Sequence, residues 1–419
     1  NLKIGDADMP FDFNPNQFKG TDSERIEQAV ANVKSHGGGK IVISRRDDAD
    51  GRDYWLLDRA ILLDSNMMLV IDDCIIKLSD QCRDNFIRSA NCGIGITDIQ
   101  KVHDIHILGV GNAVLVGADH PRSSGDSVKP LGIPTCYYDE AQGNPQNWRS
   151  YGTDWDKEGE RHNGDWRNIG ILLAYVERFS IRNLTIRDPH CWSISHEHCR
   201  DGLLRDLRFE ATAFKMIDGK KECLMNQDGI DLRQGCHNFV IENITGYSGD
   251  DLIAMTAIAG GKDVPPGNLC STMITGNRPT GDDDISHIMI RNVVGHAVER
   301  TDCQIVRFLN TGGTKIHDVI VDGIIDDAAP ADVVCGTIKV GDSLKRFGGI
   351  TPLGDTYGII LNNIQASTHS SHCIRISGSL CDSIISNVIN HNPANPPIWY
   401  QSGLEYTRNL TLMNLRQSK

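Results

Sequence analysis

Three carboxylates carry the clearest chemical signal in this chain: Asp228 in Asn226-Gln227-Asp228-Gly229-Ile230-Asp231, and Asp250 with Asp251 in Gly249-Asp250-Asp251-Leu252-Ile253-Ala254. The two acidic turns are separated by 22 residues, a gap of about one turn of a β-solenoid. A chain coiling with that period stacks the three side chains on one wall, one strand spacing of roughly 4.8 Å apart. Carboxylates crowded in this way cannot all ionise normally, so one is expected to keep its proton while another stays charged. That split is what acid-assisted cleavage of a glycosidic bond requires. Asp residues also cap turns in purely structural solenoids, but a Gly-Asp-Asp facing a second acidic turn costs repulsion that a structural role would not select.

The elements that must position these groups announce themselves in a recurring phrase, an Asn or Asp followed by alternating apolar residues. It occurs at Asn183, Asp206, Asn243, Asn292, Asn363, Asn387 and Asn414. The steps from Asn183 to Asp206 (23), Asn363 to Asn387 (24) and Asn387 to Asn414 (27) are one coil each, and Asp206 to Asn243 (37) is a coil carrying an insertion. The step of 49 from Asn243 to Asn292 reads as two coils or as one with a large loop. Short β-rich strands at such spacing, with too few helical segments to cover a parallel sheet, point to an all-β fold, a parallel β-helix of about ten coils. Asn suits its corners because it tolerates left-handed backbone. An antiparallel sandwich would need hairpin signals, and these are scarce.

A β-helix must close its ends against strand pairing. Thr21-Asp22-Ser23-Glu24 is a capping box, followed by Ile26, Ala29, Val30 and Val33 at helical spacing and by Gly37-Gly38-Gly39 as a stop. One helix is thus expected to cap residues 1–40 of a single domain spanning 1–419. Two polar stretches are too long and irregular to be coils, about 122–167 with Trp148, Tyr151, Trp155 and Trp166, and about 260–284 with Asp282 to Asp284. Such loops are functional or mobile. Their aromatic rings could stack on sugars or pack on the barrel.

Composition narrows the class. With 39% hydrophobic and 23% charged residues no stretch approaches the roughly 20 apolar residues that span a bilayer, and a net charge of −13 disfavours nucleic acid and anionic membranes. Thirteen Cys without Cys-x-x-Cys pairs indicate neither a zinc site nor a complete disulfide framework. Cys191, Cys303, Cys335 and Cys373 read as small buried hydrophobes. His196 and His198 alternate on a strand and would share a face, yet no third ligand is evident, so neither metal nor cofactor is expected. No signal peptide is expected at Asn1, where the sequence starts without Met, and the compartment is inferred from function.

The acidic turns resemble those of glycoside hydrolase family 28, the polygalacturonases, whose patterns are Asn-Thr-Asp and Gly/Gln-Asp-Asp one coil apart. Gly37 to Ile43 resembles the family's Gly-rich entry to the first strand, and Asp188 to His196 resembles the segment before the catalytic coils. The resemblance implies a right-handed parallel β-helix, secreted or periplasmic, that hydrolyses a pectic polysaccharide or oligosaccharide with inversion. It implies Asp250 as general acid, Asp228 and Asp251 holding the attacking water, and Asn226 orienting the site, with His196 matching a further family position. Two features depart from the family. No Gly-His-Gly follows the paired Asp: counting coils lands near Asp302 or Cys303, and His296 is the nearest histidine. The Arg-Ile-Lys run is split between Thr337-Ile338-Lys339 and Val306-Arg307-Phe308, so the uronate clamp is incomplete and a substrate other than plain polygalacturonan is favoured.

The residues alone leave stereochemistry open, because inversion normally needs carboxyl groups about 6.5–9.5 Å apart and adjacent coils bring them closer. The long insertions favour attack from a chain end. Two other readings stand beside the hydrolase: a lyase or uronate epimerase using Ca²⁺ held by the Asp cluster, and a non-catalytic carbohydrate-binding β-helix.

Overall fold

A computed structural model describes residues 11–47, 50–93, 96, 98–121, 123–124, 129–130, 166–224, 226–258, 280–298, 302–329, 335–344 and 348–418. The chain is an all-β right-handed parallel β-helix. One long sheet runs from Asp12–Phe13 to Thr407–Gln417, and a second sheet stacks ten short strands from Ile61–Leu63 to Ile398–Tyr400. The ten strands match the expected number of coils.

The corner residues explain the long sheet. From Val176–Arg187 onward its strands, His237–Ser248 among them, carry a mid-strand residue that drops out of the ladder with left-handed backbone: Asn183, Asp206, Asn243, Asn292, Asn363, Asn387 and Asn414 all have φ between 51° and 58°. A second left-handed residue stands near the strand start, Arg178 and Asn238 in these two strands. The residues on either side of the mid-strand corner pair in register from coil to coil, so the corners form a column. Their side chains join it. Asn243 donates to Asp206 Oδ1 (2.9 Å), Asn292 to Asn243 Oδ1 (3.2 Å) and Asn414 to Asn387 Oδ1 (2.9 Å). Gly323, φ 88°, fills the one place in this run where the recurring phrase is missing.

Direct pairing of His237–Ser248 with Ile285–Ala297 makes the 49-residue step one coil with a large loop. The 37-residue coil carries a hairpin, Phe214–Ile217 against Lys220–Cys223. The 260–284 insertion lies largely outside the described residues, as does 122–167 with Trp148, Tyr151 and Trp155. Trp166 is described and is packed: it is 1% exposed, in an apolar cluster with Ile169, Leu172 and Trp192 on the outer side of the short sheet.

The core is a set of ladders. Ile171, Ile194, Ile230, Ile253, Val306, Ile338, Ile374 and Ile398 pair in succession along the short sheet and point inward, all buried. The helix Asp22–Ser35 covers the N-terminal end: Thr21 and Glu24 make the expected reciprocal capping box, and Ile26, Ala29 and Val33 are buried. At the other end the strand Thr407–Gln417 leaves Leu412 and Met413 exposed.

One cysteine expectation is corrected. Cys303 and Cys335 form a disulfide between adjacent coils, joining the strands that Gln304 and Gly336 begin; Cys191 and Cys373 are buried, as expected. Another correction concerns His196 and His198. The strand ends at Glu197, and left-handed backbone at His198 (φ 50°) turns its ring onto Tyr175 (centroids 4.7 Å), away from His196.

The corner column can be tested at Asn243. Asn243→Ala keeps the β-carbon in left-handed backbone but loses the amide that lets Asn tolerate it, at up to about 1–2 kcal/mol, and removes exposed ladder bonds of lesser weight. Asn243→Gly loses the same bonds without the β-carbon strain. Denaturant unfolding is expected to rank wild type above Gly above Ala, and equal loss in both variants would deny the conformational term.

Candidate active site

The short sheet presents its outer face as a floor. Successive strands align Leu172, Ser195, Asp231, Ala254, Arg307, Lys339, Arg375 and Trp399 in one outward row. The three carboxylates sit on the turn that leads into this floor. Gly229 N donates to Asp251 O and Leu252 N donates to Gln304 O, which places Asp228, Asp251 and Gln304 in one column. One carboxylate oxygen from each of Asp228, Asp250 and Asp251 lies within 4.8 Å of the others, with Asp228 and Asp251 buried and Asp250 half-buried.

Local sequence builds these turns. Asn226 adopts left-handed backbone (φ 55°) and is half-exposed at the corner before Asp228. Gln227 ties the turn down: its amide donates to Pro189 O (2.6 Å) and its oxygen accepts from Ala213 N (2.8 Å), while Gly249 N donates to its carbonyl. Ser248 Oγ donates to Asp250 O (2.6 Å).

Asp251 is the perturbed member. Burial pushes its carboxyl up to about 6, against the opposing pull of Arg307, the Gln304 N–H and Lys339. Gln304 N donates to Oδ1 at 2.8 Å and Arg307 Nη1 stands 3.5 Å from Oδ2. Burial, rather than the crowding anticipated from the two turns, is therefore the main cause that raises this carboxyl.

Arg307 and Lys339, expected one coil apart on the same wall, are direct neighbours in register. Arg375 continues the row and was not anticipated. All three are buried and lie among carboxylates. Arg307 meets Asp342 (2.7 Å), Lys339 meets Asp342 and Asp302 (both 2.8 Å), and Arg375 meets Asp302. Burial and the neighbouring Arg307 lower the Lys339 ammonium. A signal for the row exists in the triplets Val306-Arg307-Phe308, Ile338-Lys339-Val340 and Ile374-Arg375-Ile376, each a cation between two inward apolar residues.

The remaining candidates separate. His196 does not reach the floor. Its ring lies inside the barrel against Phe179 and Phe239 (5.2 and 5.3 Å), fully buried, and burial lowers it to about 4; strand parity puts it on the inward face with Leu232 and Ile171's row neighbours. His296 sits near the end of Ile285–Ala297, hydrogen-bonded to Asp327 (2.7 Å) and stacked on Tyr247. The coil count past the paired Asp does land on Asp302 and Cys303, as expected.

At its N-terminal end the floor is covered. Leu172 and Trp192 belong to the outer apolar cluster, with Arg88 over Trp166 (4.8 Å) and Arg233 over Trp192 (4.6 Å). At the other end Trp399 is 41% exposed beside Arg375. The three carboxylates could geometrically ligate a hard cation, although Arg307 already supplies positive charge next to Asp251.

No protein-family model matches the chain, and no curated protein matches it. Solved structures do. A hyperthermoactive exopolygalacturonase from Thermotoga maritima aligns over 96% of this chain and 91% of its own at 13% identity and a TM-score of 0.57. A tailspike protein of E. coli bacteriophage HK620, solved with a pentasaccharide, aligns over 94% of this chain and 62% of its own at 14% identity and a TM-score of 0.50. At such identity the likeness concerns the fold. The chain therefore shares the parallel β-helix fold of these proteins, and among its described residues no helix is long and apolar enough to cross a membrane.

The Arg307 network makes a testable demand. Arg307→Met leaves Asp342, 2% exposed at its side chain, short of a cation, and breaking such a buried pair costs about 3–5 kcal/mol. The same change removes the largest influence holding Asp251 down, so its titration, followed by carboxyl NMR, is expected to move above about 6. A titration unchanged or lowered would refute the electrostatic assignment.

Proposed function

We propose that the chain is a glycoside hydrolase that cleaves a pectic or related plant polysaccharide or oligosaccharide, with 1–419 forming one domain. The observation that carries this reading is the carboxylate cluster at the edge of the floor, one oxygen from each of the three within 4.8 Å of the others. Asp250, the more exposed member, protonates the glycosidic oxygen as the bond from that oxygen to the anomeric carbon breaks. Water held by Asp228 and Asp251 attacks the anomeric carbon from the other side and yields its proton to Asp251. One water can serve both: hydrogen bonds of about 2.8 Å to each oxygen span up to about 5.6 Å. Asn226 orients this turn, and Arg307, Lys339 and His296 border the sugar.

The Trp166 and Trp192 cluster, which covers the floor at one end, supports attack from a chain end. The Cys303–Cys335 disulfide supports an oxidising compartment, secreted or periplasmic. Reduction, or Cys303→Ser with Cys335→Ser, is expected to lower stability by about 2–4 kcal/mol. An unchanged denaturation midpoint would mean the bridge adds nothing to the fold.

As the base, Asp251 must be ionised. Its raised value then makes activity fall as pH drops through about 6. The opposite sign, loss of activity as pH rises through 6, would exchange the roles of Asp251 and Asp250. The reading itself is tested by chromatography of products from defined pectic and other plant oligosaccharides, with Asp250→Asn in parallel. Release of a saturated sugar by the wild type, reduced at least about a hundredfold in the folded variant, is expected. No release by the folded wild type overturns it, and an unsaturated product lost in chelator would move the chemistry to a lyase.

A further inference from the structure

We propose that Asp302 is a built-in carboxylate that occupies the cationic clamp of the floor, so that the sugar next to the acid must be uncharged and a uronate is rejected there. This rests on the hydrolase reading. Arg307, Lys339 and Arg375 stand in register on three adjacent strands, roughly 4.8 Å apart, a spacing suited to gripping a carboxylate in two-point fashion. The grip is already closed by the protein.

Asp342 lies beneath, 2% exposed at its side chain and bound to Arg307, Lys339 and the Leu344 N–H. Asp302 lies on the solvent side, 36% exposed at its side chain, and gives one oxygen to Lys339 and the other to Arg375. Those are the two contacts a sugar carboxylate would take. Three cations thus face three carboxylates, Asp251, Asp302 and Asp342, and an incoming uronate would add a negative charge beside Asp250 and Asp251.

Asp302 is also fixed in place. The Cys303–Cys335 disulfide anchors the next residue, and Arg307 Nη1 donates to Asp302 O (3.2 Å). Although burial opposes it, Lys339, Arg307 and Arg375 hold the carboxyl down at about 2, so the group is charged at any working pH. A neutral ring, by contrast, can offer hydroxyls to Asp302 without adding charge.

The test is calorimetric binding of trigalacturonate and of its methyl ester to Asp250→Asn protein, with and without Asp302→Asn. The ester is expected to bind the Asp250→Asn protein at least tenfold more tightly than the free acid, and Asp302→Asn is expected to reverse the order. Equal or tighter binding of the free acid without the second substitution overturns the proposal, and that comparison stands even if the double variant does not fold. An unchanged ester preference in the folded double variant also overturns it. Binding of neither ligand to either protein contradicts the pectic hydrolase reading and the clamp together.

Discussion

The architecture rests on one backbone constraint: from Val176–Arg187 onward, each strand of the long sheet bends at a mid-strand residue with left-handed backbone. L-residues pay for that conformation unless they are Asn, Asp or Gly, and the column from Asn183 to Asn414 meets the requirement at every step, with Gly323 as the glycine instance. A one-residue corner leaves no slack. The apolar residues on either side therefore return to the same face in each coil, and the inward ladder from Ile171 to Ile398 follows. A slip by one residue would turn every such side chain outward.

Because the step is fixed on the long sheet, side chains on the short sheet fall into rows as well. The outward row changes character along the axis, from Leu172 under an apolar cover, through Asp231 beside the acidic turn, to Arg307, Lys339 and Arg375, and then to exposed Trp399. The acid cluster and the cationic row come within reach of each other at Asp251 and Arg307. Neither would be tolerable alone: three crowded carboxylates repel, and three buried cations need partners. Asp302 and Asp342 balance the row, and burial settles the remaining conflict by raising Asp251. Asp302 shifts the other way, so its stabilising effect is present above its ordinary range and is lost as pH falls toward about 2.

Much of this was readable before any coordinates, for a simple reason. Corners and caps are local events, so Asn243 and the Thr21–Glu24 box declare themselves in a few residues, and the acidic turns are separated by an uninterrupted coil. What was hidden depends on register across loops of unequal length. The separations from Arg307 to Lys339 (32) and Lys339 to Arg375 (36) carry no visible period, so it is strand pairing that sets the third cation in the row and brings Asp302 to it. The same holds for Cys303 and Cys335, taken singly as buried hydrophobes yet bonded across one coil. His196 was misjudged because motif position says nothing of strand parity, and its parity is inward, between two Phe rings.

The account makes the acid cluster a device for direct attack by water, although its oxygens lie closer together than the separation of about 6.5–9.5 Å usual for inversion. The deciding measurement is ¹H NMR of the anomeric region during the first minutes of turnover, before mutarotation. The account expects the new reducing end to appear in the configuration opposite to that of the bond cleaved; first appearance in the same configuration would contradict it and make one of the three Asp a nucleophile.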